Sequence, residues 1–184
     1  MRTLYLLRHA KSSWKDEALP DFERPLAGRG REACDAIARH IHSEKFEFDL
    51  TISSTAVRAR ETIELIRQRA KLRTELRFDE RIYEASASRL FEIASQIEAD
   101  RKSVLMVGHN PGFEEFVEAV TGETKRLPTG ALVKIKLKIT KWSDPFERDG
   151  TLEWIVRPKD FASTRMRSPP PAKRHDPSRR ALRP

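Results

Sequence analysis

Two histidines and at least two arginines of this chain stand directly after apolar runs of strand length. The first run leads into Leu7-Arg8-His9-Ala10-Lys11-Ser12, the second into Ser53-Ser54-Thr55-Ala56-Val57-Arg58-Ala59-Arg60-Glu61-Thr62, and the third into Val107-Gly108-His109-Asn110-Pro111-Gly112. Guanidinium forks match phosphate oxygens in bidentate geometry and offset the charge that builds on a group in transfer, while a neutral imidazole can attack phosphorus. Arg8, His9, Arg58 and His109, with neither a thiol nor an Asp/Glu cluster beside them, therefore point to phosphoryl chemistry without a metal. Metal binding by His9 and His109 is the rival, but adjacent arginines repel a cation and no third or fourth ligand is apparent. No cofactor is expected.

Position separates these groups from others of the same type. The dipeptide Arg-His occurs at 8–9, 39–40 and 174–175, so it discriminates nothing by itself. His40 and His42 fall in an amphipathic helical pattern, where a half-buried structural role is expected, and His175 lies in a basic C-terminal stretch. Arg58 stands in the first turn of its expected helix, where free backbone N–H groups and the helix dipole attract an anion. Arg60, two positions on, points elsewhere and reads as a solvated surface charge.

Such chemistry needs a scaffold that brings the three segments to one rim. Residues 3–7, 50–53 and 103–107 are apolar runs with the length of buried strands, as at the centre of a parallel sheet. Between them Ala33, Cys34, Ile37 and Ile41, then Ala59, Ile63, Ile66 and Ala70, then Leu90, Ile93, Ala94 and Ile97 recur at helical spacing. Leu76 and Phe78 suggest a further short strand, and Phe113, Phe116, Val117 and Val120 a fourth helix. The order predicts an α/β fold, a three-layer doubly wound and mostly parallel sheet, whose ligands collect outside the carboxyl ends of the strands. At the end of the domain Val133, Ile135, Leu137 and Ile139 alternate with lysines, which predicts an edge-type strand whose lysine row discourages further pairing. Leu152, Trp154 and Val156 repeat the alternation and complete an expected antiparallel hairpin.

Composition narrows the function classes. The 184 residues carry a net charge of +8 with 35% charged side chains, and no run approaches the roughly 18 apolar residues of a membrane-spanning helix. The apolar start of the chain is too short for a signal-peptide core, so a cytoplasmic location is expected. Cys34, the single cysteine, cannot form an internal disulfide and reads as a buried small apolar side chain. Residues 163–184 hold seven basic side chains against one acid, Asp176, together with five prolines, and too few apolar groups to offset chain entropy. One domain over 1–162 and a disordered basic tail over 163–184 are expected. The tail reads either as a nonspecific anchor for nucleic acid or an acidic partner, or as a solvated extension.

The three motifs, in this order, resemble those of the histidine phosphatase superfamily with its phosphoglycerate mutase-like fold, and within it the SixA-type phosphohistidine phosphatases. The resemblance covers roughly residues 1–160. It implies that His9 is the phosphorylated nucleophile and that Arg8, Arg58 and a protonated His109 complete the cationic pocket for the phosphoryl oxygens. The superfamily's Arg-His-Gly is here Arg8-His9-Ala10, as it often is in the SixA-type branch. Many relatives place a Glu after the third strand to protonate an alkoxide; Glu84 and Asp79 are the candidates here, and Glu84 reads equally as a helix-entry carboxylate. Imidazole leaves readily from protonated phosphohistidine, so a weak acid site suits a phosphoramidate. Connections that look too short for a lid leave the pocket open to a side chain on another protein. The expected substrate is therefore phosphohistidine on a signalling or phosphotransfer protein. A small phosphate monoester is the alternative, and a nucleic-acid module acting through the tail a third reading.

Overall fold

The computed structural model describes residues 1–164. A six-stranded sheet in the order β3-β2-β4-β1-β5-β6 separates two pairs of helices. Its strands are β1 (Arg2–Arg8), β2 (Leu50–Ser53), β3 (Glu75–Phe78), β4 (Ser103–Gly108), β5 (Leu132–Leu137) and β6 (Gly150–Val156). The first four run parallel, while β5 joins β1 antiparallel and β6 closes the antiparallel hairpin. The helices are α1 (Gly28–Ser43), α2 (Val57–Ala70), α3 (Ala87–Ser95) and α4 (Gly112–Thr121).

The continuous apolar runs occur because both faces of the central strands are covered. Leu4 and Leu6 of β1 pack with Val104 and Met106 beneath α3 and α4, whereas Tyr5 and Leu7 pack with Leu105 and Val107 beneath α1 and α2. The parallel register sets Arg8 beside Gly108 and Ser53 beside Val107, so three strands deliver their succeeding residues to one rim. No helix among the described residues is long and apolar enough to cross a membrane.

Three expectations from the sequence need correction. The lysine-bearing strand is not an edge: β5 lies between β1 and β6, so the outer strand is β6. Lys134 instead points across the sheet surface, paired with Glu153 at 3.0 Å and lying 5.9 Å from the Trp154 ring centroid. Leu152 does not share a face with Trp154 and Val156. The register jumps between Lys134 and Ile135, leaving Glu153 as an extra residue that turns Leu152 toward the α3/α4 side. Finally, the connection over 9–27 is long, carries a 3-10 turn at Asp21–Glu23, and folds over one side of the strand ends.

Two glycines allow the close approaches that frame this rim. A Cβ on Gly30 would lie 2.2 Å from the carbonyl oxygen of Lys11, and one on Gly112 would lie 1.9 Å from that of Ala85. Only glycine lets α1 and α4 begin so near the backbone of those loops. Cys34 is buried in α1, and burial pushes its thiol up to about 12, which keeps it protonated. The tail expected over 163–184 lies, apart from its first two residues, outside the described residues.

Candidate active site

Each predicted site residue is fixed by the backbone just beyond its strand. Arg8 ends β1, with its N–H bonded to the Ala131 carbonyl; His9 donates its N–H to the Gly108 carbonyl of β4. The Ala10 N–H is taken by the Thr62 hydroxyl at 3.0 Å, and that hydroxyl donates to the Arg58 carbonyl. Alanine therefore serves at position 10, because this N–H is committed to α2 and not to a ligand. Arg58 lies in the first turn of α2, and His109 comes directly after β4.

The structure brings Arg8, His9, Arg58 and His109 to one cleft of about 390 Å³. The His9 and His109 ring centroids are 5.0 Å apart, and Arg58 Nε donates to His9 Nε2 at 3.3 Å. His9, Arg58 and His109 are only 7, 7 and 6% exposed. The Nδ1–H of His9 donates to the Ala10 carbonyl at 2.8 Å, which makes Nε2 the lone-pair nitrogen, the one that accepts the Arg58 Nε–H at the cleft wall. Burial, with Arg58 and Arg8 nearby, pushes His9 down to about 4, so the ring is neutral near pH 7.

His109 is held by Ser54, whose hydroxyl lies 2.8 Å from Nε2. That hydroxyl accepts the Ala56 N–H and, with a second lone pair and its own hydrogen, can either accept from Nε2 or donate to it. Among the described residues His109 Nδ1 is buried without a partner, so its hydrogen-bonding capacity is unspent. The protonated His109 expected from the sequence is not its state here: burial foremost, then His9 and Arg58, pushes it down to about 3. A phosphoryl group beside it would reverse that balance by adding negative charge.

Arg8 donates through Nη1 to the Leu127 carbonyl at 2.6 Å, while its Nε is buried and has no partner among the described residues. Asn110 donates to the same carbonyl at 3.0 Å. Both side chains are thus anchored to the segment before β5. Glu84 lines the cleft, exposed and at a φ of 52°, and it lies before the first turn of α3, so it is not a helix-entry carboxylate. Asp79 is spent elsewhere: it caps the turn Glu80–Ile82 and forks with Arg81 at 2.7 Å. Arg60 is exposed, 4.8 Å from the Phe78 ring centroid, and His40 stacks on Phe161 with centroids 4.6 Å apart. Among the described residues no group of three His, Cys, Asp or Glu side chains could hold a metal ion.

The sequence reading missed Asp21. Its carboxylate accepts from Arg58 Nη2 at 2.8 Å, from Arg24 Nη1 at 3.0 Å and from the Tyr83 hydroxyl at 3.0 Å, and its carbonyl accepts from Arg58 Nη1. Burial opposes its charge, but the hydrogen bonds from Tyr83 and Arg58 hold the carboxyl below its ordinary range. Residues 13–24 have no apolar period to betray the fold of that connection. An Asp three residues before Arg24 was the one available signal.

A family model described as histidine phosphatase superfamily, branch 1, matches residues 4–126, and the chain belongs to that superfamily. Its fold is phosphoglycerate mutase-like and its activity that of a phosphatase. An uncharacterized chloroplastic protein of Arabidopsis thaliana is 29% identical over 162 residues, covering 83% of this chain and 74% of its own. The crystal structure of SixA from Agrobacterium tumefaciens, provisionally described as a phosphohistidine phosphatase, is 26% identical with a TM-score of 0.73, covering 84% of this chain and 97% of its own. A protein histidine phosphatase SixA complexed with tungstate shares the fold, at 21% identity and a TM-score of 0.71, over 86% of this chain and 98% of its own.

Proposed function

We propose that the protein removes the phosphoryl group of phosphohistidine on another protein, through a phosphohistidine intermediate on His9. The observation that carries this reading is the His9 ring: its Nδ1–H is tied to the Ala10 carbonyl, and its neutral Nε2 faces a cleft walled by Arg8, Arg58 and His109. Nε2 attacks phosphorus in line, a new N–P bond forms, and the bond to the substrate's protonated ring breaks, so that ring leaves as neutral imidazole carrying its proton. Arg8, Arg58 and His109 hold the three equatorial oxygens. Water then attacks the phosphorylated His9, returning the free ring and inorganic phosphate.

The likeness to SixA of Agrobacterium tumefaciens supports phosphohistidine as the leaving side. So does the leaving-group chemistry, since imidazole with a conjugate-acid pKa of about 6.5 departs without a strong acid in the site. The deciding experiment mixes the enzyme with a chemically phosphorylated histidine peptide, quenches in base, and maps the trapped phosphate. Acid-labile, base-stable phosphate on His9, absent from His9→Ala, is expected. Turnover that survives His9→Ala, or label on another residue, overturns the mechanism. A second reading, hydrolysis of a phosphate monoester, is favoured by Glu84, a carboxyl on the cleft wall that could protonate an alkoxide.

A further inference from the structure

The catalytic cleft opens on one side into a wider groove of about 840 Å³ that shares Arg8, Lys11 and Thr129 with it. Arg29 from the first turn of α1, Arg126, Arg157 and Lys159 line its outer part. One carboxylate, Glu114, faces them, and it already accepts the Leu127 N–H at 2.7 Å. Among the described residues none of Lys11, Arg29, Arg126, Arg157 and Lys159 forms an ion pair. By contrast Arg77, Arg81, Arg89 and Arg101, on the β3 side of the molecule, each pair with a carboxylate. Unneutralised cations gathered in one concavity raise the local potential and draw in an anionic partner.

Beside Asp21 and Arg24, cleft residues that the groove does not share, the surface carries a different chemistry. Trp14 is 66% exposed, with the Arg24 guanidinium 3.2 Å from its ring centroid, and Arg24 in turn holds Asp21. Phe22, 37% exposed, meets Tyr83 edge to face at 5.0 Å between centroids. Exposed aromatics beside a polar rim are the residues that anchor protein interfaces. A small phosphorylated molecule needs neither an 840 Å³ groove nor a detached tryptophan, whereas a protein face spans both.

We propose that the groove and the aromatic wall together form a docking surface for a protein partner whose phosphorylated side chain is flanked by Asp and Glu. The acidic residues lie along Arg29, Arg126, Arg157 and Lys159, and an apolar residue on the other side of the phosphoryl group rests on Trp14. This deepens the reading of the protein as a protein phosphohistidine phosphatase and rests on it.

The test compares the wild type with Arg126→Glu/Lys159→Glu and with Trp14→Ala. All these side chains are exposed and outside the reacting group. The substrates are a phosphohistidine peptide flanked by Asp and Glu, the same peptide flanked by Ser and Gly, and free phosphohistidine. At low ionic strength the double charge reversal is expected to raise KM for the acidic peptide at least about tenfold, worth roughly 1.4 kcal/mol, and to leave free phosphohistidine unchanged. The wild-type preference for the acidic peptide fades with added salt, and Trp14→Ala raises KM for both peptides but not for the free amino acid. Equal turnover of acidic and neutral peptides by the wild type, or equal losses on all three substrates, overturns the docking surface. If the wild type hydrolyses none of them, the phosphohistidine reading itself fails. The docking surface is then judged with phosphoserine peptides of the same two compositions, where the absence of an acidic preference rejects it.

Discussion

Arg58 Nε donates to His9 Nε2 at 3.3 Å, so the guanidinium and the ring nitrogen that would attack phosphorus are aligned before any substrate arrives. The hydrogen bond must give way to free the Nε2 lone pair for attack, and the released Nε–H, with the Nη hydrogens not taken by Asp21, is then offered to the phosphoryl oxygens. Arg58→Ala is expected to lower kcat/KM on free phosphohistidine by about 10²–10³, the scale on which preorganised donors act. Arg58→Lys recovers only part of this, because an ammonium lacks the fork. A loss below threefold for Arg58→Ala in steady-state kinetics would show that the guanidinium does not touch the transferred group.

Asp21 is the counter-ion of that guanidinium, and its charge raises the pKa of both His9 and His109. Asp21→Asn keeps the side chain's size, removes the charge, and replaces one of the two acceptor oxygens with an NH2 that cannot accept from an arginine. It is expected to lower kcat roughly tenfold, about 1.4 kcal/mol, by loosening Arg58. The acid limb of the pH profile should also move to lower pH, because both rings then become harder to protonate. A merely structural Asp21 would lower stability and leave the pH limb where it was.

Much of this site was legible because its chemistry sits at strand ends. Apolar runs ending at Leu7, Ser53 and Val107 announce a parallel sheet, and a parallel sheet gathers the residues just past its strands at one rim. The helical spacing of Ile37 and Ile41 or Phe113 and Phe116 likewise reports one buried face each. Asp21 and Tyr83 were illegible because they reach the cleft from irregular segments, which tertiary contacts alone define. The position of β5 was misread for a related reason. Alternation tells which face of a strand is buried and says nothing of whether another strand covers its edge. The Glu153 bulge, one residue long, leaves no period to detect.

The two buried rings make stability depend on acid. His9 at about 4 and His109 at about 3 lie below the 6.5 of an unfolded histidine, so the unfolded chain binds more protons as pH falls from 6.5. Stability therefore declines with acidification across the window from 6.5 to about 4, by on the order of 3 kcal/mol for His9 alone. Urea midpoints measured from pH 7.5 to 4.5 should fall more steeply for the wild type than for His9→Gln/His109→Gln. Parallel slopes would mean that both rings titrate in the folded protein as they do in the unfolded chain.

Glu84 separates the two substrate readings. Its carboxyl lines the cleft but has no hydrogen-bond partner among the described residues that fixes it. Glu84→Gln is expected to leave phosphohistidine turnover within about twofold, since imidazole departs without help. The same change should depress any activity on an alkyl phosphate monoester by about 10²-fold, the lower range of acid catalysis. Equal loss on both substrates would assign Glu84 to binding.

Two neighbouring glycines at the start of α1 should respond in opposite directions, although both sit in a helix. Gly28 has nothing within 4 Å of the position a methyl group would take, so Gly28→Ala adds helix propensity and removes unfolded-chain entropy without a clash, a gain of about 0.4–1 kcal/mol. At Gly30 the same methyl would lie 2.2 Å from the Lys11 carbonyl oxygen, which is backbone and which also accepts the Ala27 N–H at 2.8 Å. Either the helix start or the segment after His9 must shift, at a cost of about 1–3 kcal/mol. Because Lys11 lines the cleft, Gly30→Ala should also lower kcat/KM, and Gly28→Ala should not. Denaturation midpoints and turnover of the two variants, measured together, test whether the close approach at Gly30 sets the site, and a Gly30→Ala enzyme as stable and active as the wild type would show that it does not.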